Sequence, residues 1–201
     1  MKIKIGILGS TGSIGKFTLD IVKNNKSKFI VELLTAKNNY KKLIEQAKFF
    51  KAKNILIYNK KYYNKVKKEL INTRTRVYCA DKSINSIISK KLDYTMSAIV
   101  GFEGLKPTIE AIKCSKKVAI ANKESIICGW HLLSKYTKKY KTEILPIDSE
   151  HFSIKELSKN FSENEVEEII LTASGGPFLN TSLNKLKNVK PSQAIKHPNW
   201  K

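Results

Sequence analysis

Short apolar runs alternate with segments of helical period from the first residues to about residue 147. That alternation commits the chain to the α/β class, a mainly parallel sheet with helices on both faces. The strand runs are residues 3–8, 29–35, 54–58, 76–79, 93–100, 117–121, 143–147 and 167–173. Helical spacing covers 14–23, 40–50, 61–71, 81–89 and 105–114, with a further helix about 152–157. In the first of these, Ile14, Phe17, Leu19, Ile21 and Val22 give a broad apolar face. Asn38 and Asn39 are candidate caps for the second, and Pro107 falls in the first turn of the fifth, where a missing N–H costs little. The regular alternation gives way near Pro146 to polar motifs, with no internal repeat and no low-complexity linker.

The 201 residues suffice for one full domain and the start of a second. A hydrophobic content of 41% with only 9 Gly and 5 Pro excludes a disordered or collagen-like chain. The formal charge of +21 would ordinarily suggest a nucleic-acid partner, but only two of the 38 basic residues are arginines, Arg74 and Arg76. Nucleic-acid readers favour Arg, whose planar fork grips phosphates and base edges with paired donors. The lysines are instead scattered among abundant Ile, Asn and Tyr, the residue set of an AT-rich coding sequence, and imply a solvated basic surface with no nucleic acid. Cys79, Cys114 and Cys128 are odd in number and lack metal-type spacing, which fits a reduced, intracellular protein. No apolar run approaches bilayer-spanning length, so no membrane partner is expected, and residues 1–8 are too short for a signal peptide.

Between the first strand and first helix lies Gly9-Ser10-Thr11-Gly12-Ser13-Ile14-Gly15. Glycines there permit a tight turn and close approach of backbone to a pyrophosphate, while helix N–H groups face the anion. The plain alternative is a Gly-rich turn without chemistry; position between strand and helix favours a nucleotide. The second strand ends in Thr35-Ala36-Lys37-Asn38 rather than in an acidic residue that would hold the ribose hydroxyls of NAD, and Glu32 lies back inside the strand. A cation with no carboxylate nearby suits the extra phosphate of NADP, although Lys37 could equally be one more surface lysine.

Three further motifs follow strand runs, at the edge where open α/β sheets bind ligands. Asn122-Lys123-Glu124 is either part of a site or a helix start. In Asp148-Ser149-Glu150, carboxylates one residue apart can share a side of an extended segment and hold Mg²⁺ or Mn²⁺; the alternative is a strand end with a Ser cap. His151 reads as a packing or capping side chain. Ser174-Gly175-Gly176-Pro177 can present N–H groups to an anion or form an ordinary turn. In His197-Pro198-Asn199-Trp200 the Trp is a core plug or a lid.

Taken together, the segments GSTGSIG at 9–15, AKN at 36–38, ANKES at 121–125, PIDSEH at 146–151, LTASGGPF at 171–178 and HPNW at 197–200 resemble the 1-deoxy-D-xylulose 5-phosphate reductoisomerase family, in the family's order. The resemblance extends over the whole chain and about the amino-terminal half of the family's. It implies a Rossmann-like NADPH-binding domain over 1–147 and the start of an α+β catalytic domain over 148–201. It implies that Thr11, Gly12, Ser13 and Ile14 bind NADPH, with Ala36, Lys37 and Asn38 at the adenosine phosphate end and Asn122 and Glu124 also on the cofactor. Ala36 departs from the Gly often found before the family's Lys-Asn pair. Asp148 and Glu150 are implied as two of three carboxylates for Mg²⁺ or Mn²⁺, with Co²⁺ as a further metal. Lys123, Ser149, Ser174 and His197 are implied as substrate contacts, and Trp200 as part of a flap.

The implied reaction is conversion of a sugar phosphate, 1-deoxy-D-xylulose 5-phosphate, to 2-C-methyl-D-erythritol 4-phosphate in non-mevalonate isoprenoid biosynthesis, by a homodimer when full length. The implied location is a bacterial cytoplasm, or an organelle lumen after transit-peptide removal. On this expectation the chain alone is an incomplete enzyme. Two other readings stay open: a non-catalytic NADPH-binding remnant, and an NADP-dependent reductase of the semialdehyde dehydrogenase type, which would need a Cys or a Tyr–Lys pair at a strand end.

Overall fold

In the computed structural model, which describes residues 2–171 and 176–196, seven strands form one sheet. They are β1 (Ile3–Leu8), β2 (Phe29–Ala36), β3 (Asn54–Ile57), β4 (Arg76–Cys79), β5 (Leu92–Ser97), β6 (Ser115–Ile120) and β7 (Glu143–Pro146), ordered β4-β3-β2-β1-β5-β6-β7. Every neighbouring pair is parallel, so all carboxyl ends share one edge. The chain works outward from β1 to β4, then returns to place β5 on the other side of β1. That reversal opens a crevice beyond the carboxyl ends of β1 and β5.

The helices are α1 (Ser13–Asn24), α2 (Tyr40–Phe50), α3 (Tyr63–Glu69), α4 (Ile84–Ile87), α5 (Leu105–Lys113), α6 (Lys123–Tyr140), α7 (Ser149–Ser158), α8 (Leu183–Leu186) and α9 (Pro191–Ala194). Buried strands alternate their apolar residues between two cores. Ile5, Ile7, Leu34, Ile55 and Ile57 meet α1–α3 through Leu19, Leu43 and Val66. Leu8, Leu33, Leu56 and Ile120 meet α4–α6 through Ile84, Ile112 and Leu133 on the opposite face. A bulge skips Glu32, because Ile5 pairs with Val31 and Gly6 with Leu33. Gly6 also makes room for β5: a Cβ there would lie 2.8 Å from Leu92 Cδ1.

The chain divides into two compact units, Met1–Phe152 and Ser153–Lys201. Among the described residues the second contains helices and turns and no strand. The strand expected over 167–173 is therefore corrected for 167–171, and residues 172 and 173 fall outside the described residues. The physical reason is that a strand needs a neighbour for its backbone groups; without one, Ile169, Ile170 and Leu171 remain 63%, 75% and 65% exposed.

Three other differences have local causes. The helix expected over 61–71 begins as a tight turn, Lys60–Tyr62, because the Asn59 side chain accepts from Lys61 N at 3.1 Å. The helix expected over 81–89 shrinks to α4, since Ile88 is extended and buried and Glu110 Oε2 accepts from Ile84 N at 2.8 Å. The 18-residue α6 is not among the expected helices: only Ser125, Gly129 and Leu133 are fully buried along it, Ile126 and Tyr136 pack half-buried beside them, and Ile127, Trp130 and Leu132 are exposed. Gly129 lets Leu105 approach; a Cβ there would collide with the Leu105 side chain. Among the described residues no helix is long and apolar enough to cross a membrane.

Candidate functional site

The three glycines of the loop after β1 do three different things. Gly9 has φ +75°, and a Cβ on it would lie 2.8 Å from Ala98 O. Gly15 brings α1 onto the loop, since a Cβ there would overlap the backbone of Gly9 and Ser10. Gly12 precedes α1, and its added Cβ would meet only Gly9 O, at 3.4 Å, with open space otherwise. Turn, helix packing and room for a ligand backbone contact are the three uses such glycines serve in dinucleotide sites. No side chain caps α1 and its first turn carries no acid, so its first N–H groups are left for an anion. Thr11 is half-buried, and Gly12, Ser13 and Ile14 are exposed at this point.

Ser10, unremarked in the sequence, fastens the loop. Its hydroxyl donates to Gln46 Oε1 at 2.8 Å, Gln46 Nε2 donates to Ser10 O at 2.9 Å, and Gly9 N donates to Thr35 Oγ1 at 3.0 Å. The available signal was Gln46, a polar residue among the buried positions Leu43, Ile44 and Ala47 of α2.

A cavity of about 550 Å³ opens beside the loop, lined by Gly9, Thr11, Gly12, Ala36, Lys37, Tyr58, Val100 and Glu103 among others. Lys37 is not a lone cation: its Nζ lies 2.7 and 2.8 Å from the Glu103 carboxylate oxygens. This corrects the expectation of no nearby carboxylate; Glu103 arrives from the β5–α5 loop, distant in sequence. Asn38 Oδ1 accepts from Asn59 Nδ2 at 2.8 Å, tying the end of β2 to that of β3. Ala36 is buried at the end of β2. The Tyr58 hydroxyl is buried with no hydrogen-bond partner. Burial, then the Glu110 carboxylate, push its phenol well above the ordinary range and keep it protonated.

Asn122 caps α6, accepting from Ser125 N at 2.6 Å, while its Nδ2 donates to Ile99 O and to Gly101 O, the latter at 2.8 Å. Its side chain thus holds the β5–α5 loop. Lys123 and Glu124 open α6 and are exposed. Ser149 and Glu150 are not in an extended segment, as the carboxylate spacing argument supposed, but in the first turn of α7. Asp148, rather than Ser149, caps that helix: its Oδ1 accepts from His151 N at 3.2 Å and lies 2.7 Å from His151 Nδ1. Burial would raise the Asp148 carboxyl, but the bonds from the His151 ring and backbone outweigh it and hold it below the usual carboxylate range. Its Oδ2 is buried without a partner, an orphan that suits a cation. Glu150 lies 3.7 Å from Lys123 Nζ.

Two hard carboxylates suit Mg²⁺ or Mn²⁺, although among the described residues no cluster of three metal-ligating side chains forms. Ser174, His197 and Trp200 lie outside the described residues. No cysteine lines this cavity: Cys79 is buried at the end of β4, Cys114 sits at the end of α5, its thiol pushed up to about 11, chiefly by burial, and Cys128 is on α6.

The family model described as 1-deoxy-D-xylulose 5-phosphate reductoisomerase matches residues 5–129, and that of the same enzyme's C-terminal domain matches residues 144–201. The enzyme of that name from Pelagibacter ubique is 51% identical over 98% of the chain and 51% of its own length. That from Wolbachia pipientis subsp. Culex pipiens is 44% identical over 98% of the chain and 51% of its length. The solved Zymomonas mobilis enzyme in complex with NADPH superposes with a TM-score of 0.85 at 37% identity, covering 98% of the chain and 52% of the solved one. A solved reductoisomerase with NADPH, fosmidomycin and magnesium gives 0.81 at 31% identity over 98% and 52%. The chain spans about half the length of the curated relatives it matches.

Proposed function

The chain belongs to the 1-deoxy-D-xylulose 5-phosphate reductoisomerase family, and from that premise we propose that the protein carrying it converts 1-deoxy-D-xylulose 5-phosphate to 2-C-methyl-D-erythritol 4-phosphate with NADPH and a divalent cation. The supporting observation is the placement along one sheet edge of an open glycine loop and of Asp148, whose Oδ2 is buried and unpartnered. Residues 1–147 serve the cofactor and 148–201 begin the catalytic domain.

Thr11, Gly12, Ser13 and Ile14 bind the pyrophosphate; Ala36, Lys37 and Asn38 bind the adenosine end, and Glu124 and the Asn122 backbone lie along the cofactor. Asp148 and Glu150 hold the cation, which when bound polarises the substrate's ketone and adjacent hydroxyl as a Lewis acid. Lys123, beside Glu150, steadies oxyanion charge as the carbon skeleton rearranges, before hydride from NADPH reduces the resulting aldehyde. Ser149, Ser174 and His197 orient the substrate and Trp200 covers it. The assembly is a homodimer in a bacterial cytoplasm.

The test is NADPH oxidation by the product of the complete gene, with 1-deoxy-D-xylulose 5-phosphate and Mg²⁺. Turnover should need both, and Asp148→Asn should abolish it while NADPH still binds. Near-normal turnover in Asp148→Asn would remove the cation assignment.

A further inference from the structure

At the end of β2 the sequence supplies a cation and no acid, yet the fold brings one. Glu103 sits in the tight turn Phe102–Gly104 and places both carboxylate oxygens on Lys37 Nζ, at 2.7 and 2.8 Å. Both side chains line the same cavity as Gly9, Thr11 and Gly12. The backbone beneath Glu103 is firmly placed. Gly101 turns with φ +75°, its carbonyl accepts from Asn122 Nδ2 at 2.8 Å, and Gly104 N donates back to Gly101 O at 3.1 Å. The pair itself is solvated, with the Glu103 side chain 67% exposed and that of Lys37 59%. Glu110, another carboxylate lining the cavity, is engaged by Ile84 N at 2.8 Å.

We propose that Glu103 is a specificity-determining residue that narrows the chain's discrimination between 2′-phosphorylated and 2′-hydroxyl nucleotides. The inference rests on the NADPH reading of this cavity. A 2′-phosphate drawn to Lys37 must displace the carboxylate already there and then tolerate a negative charge close by. A ribose with free hydroxyls meets the opposite situation. A carboxylate near the end of β2 is the group that accepts from those hydroxyls in NAD sites. Glu103 thus supplies through space the acid that Thr35-Ala36-Lys37-Asn38 lacks. An exposed ion pair is easily exchanged for a charge-assisted contact with phosphate, so Glu103 lowers the preference for NADPH without abolishing it.

The test is calorimetric titration of the 201-residue chain with NADPH, NADH and 2′,5′-ADP, comparing the unmodified protein with Glu103→Gln, Lys37→Gln and the double variant. Glu103→Gln should bind NADPH and 2′,5′-ADP about three- to tenfold more tightly, with no gain for NADH. The gain should shrink in the Lys37→Gln background and at high salt. Both variants alter exposed side chains, and an unchanged thermal midpoint verifies folding. An equal change for NADPH and NADH, a loss for 2′,5′-ADP, or a full gain without Lys37 would each overturn the proposal. NADPH binding that ignores Glu103→Gln overturns the role of Glu103 alone; no binding of any nucleotide overturns the NADPH reading with it.

Discussion

Ser10 and Gln46 exchange hydrogen bonds in both directions, hydroxyl to amide oxygen at 2.8 Å and amide nitrogen to carbonyl at 2.9 Å, with both residues buried. The exchange ties the glycine loop to α2, so the loop is shaped before any ligand arrives. Pre-shaping of this kind lowers the ordering cost of binding.

Gln46→Leu fits the volume but takes the Gln46 Nε2 bond from the buried Ser10 carbonyl and leaves the Ser10 hydroxyl only its longer bond to Thr35 O, at 3.3 Å. It should destabilise the chain by about 2 kcal/mol and weaken NADPH binding in parallel. Urea unfolding and a nucleotide titration measure the two effects; a variant as stable as the parent would mean the exchange contributes nothing.

Gly12→Ala and Gly15→Ala should separate binding from folding. The first adds a methyl where only Gly9 O is near, so the thermal midpoint should hold while NADPH affinity falls at least about tenfold. The second drives a methyl into the Gly9–Ser10 backbone and should lower the midpoint markedly. The reverse pattern would assign the glycines the wrong tasks.

Asn122→Ala removes the cap of α6 and both donors to the β5–α5 loop. We expect a loss of about 2–4 kcal/mol in chemical denaturation and faster amide exchange at Gly104. Asn122→Asp retains the acceptor for Ser125 N and should recover only the capping part. Full recovery would mean the loop is held by other contacts.

Asp93 gives a pH dependence with a definite sign. Its hydrogen bonds from the Lys116 side chain at 2.7 Å and from Lys4 N at 2.9 Å outweigh a desolvation effect and hold its carboxyl below the usual range. Because the folded value is depressed, the stabilisation is present above the unfolded value and disappears as pH falls through the folded one. Asp93→Asn should therefore cost up to about 1 kcal/mol at neutral pH, with the gap to the parent closing below about pH 4. A gap independent of pH would point to packing rather than charge.

The strands and helices that bury a continuous apolar face were legible: α2 and β1 fall on the residues their patterns indicate, Tyr40–Phe50 and Ile3–Leu8. Hidden elements were those decided by tertiary contact. Apolar side chains lie on both sides of α6, with Ile126, Leu133 and Tyr136 inward and Ile127, Trp130 and Leu132 exposed, which blurs its period, and α4 stops early because Ile88 is drawn into the core. The site divides in the same way. The glycine loop and the Asp148 segment stand at strand ends in the sequence itself. Gln46 reaches the glycine loop, and Tyr58 and Glu103 the cavity beside it, through a sheet order that sets β1 between β2 and β5, which no local spacing encodes.

The most direct measurement is an amide-resolved NMR titration of the 201-residue chain with NADPH. Saturable shifts should concentrate at Gly9, residues 11–15, Lys37, Asn38 and Val100, leaving Lys4 and Arg76 at the opposite edge of the sheet unmoved. Absence of saturable shifts at millimolar NADPH, or shifts confined to the Lys4 and Arg76 edge, would contradict the assignment of the glycine loop as the cofactor site.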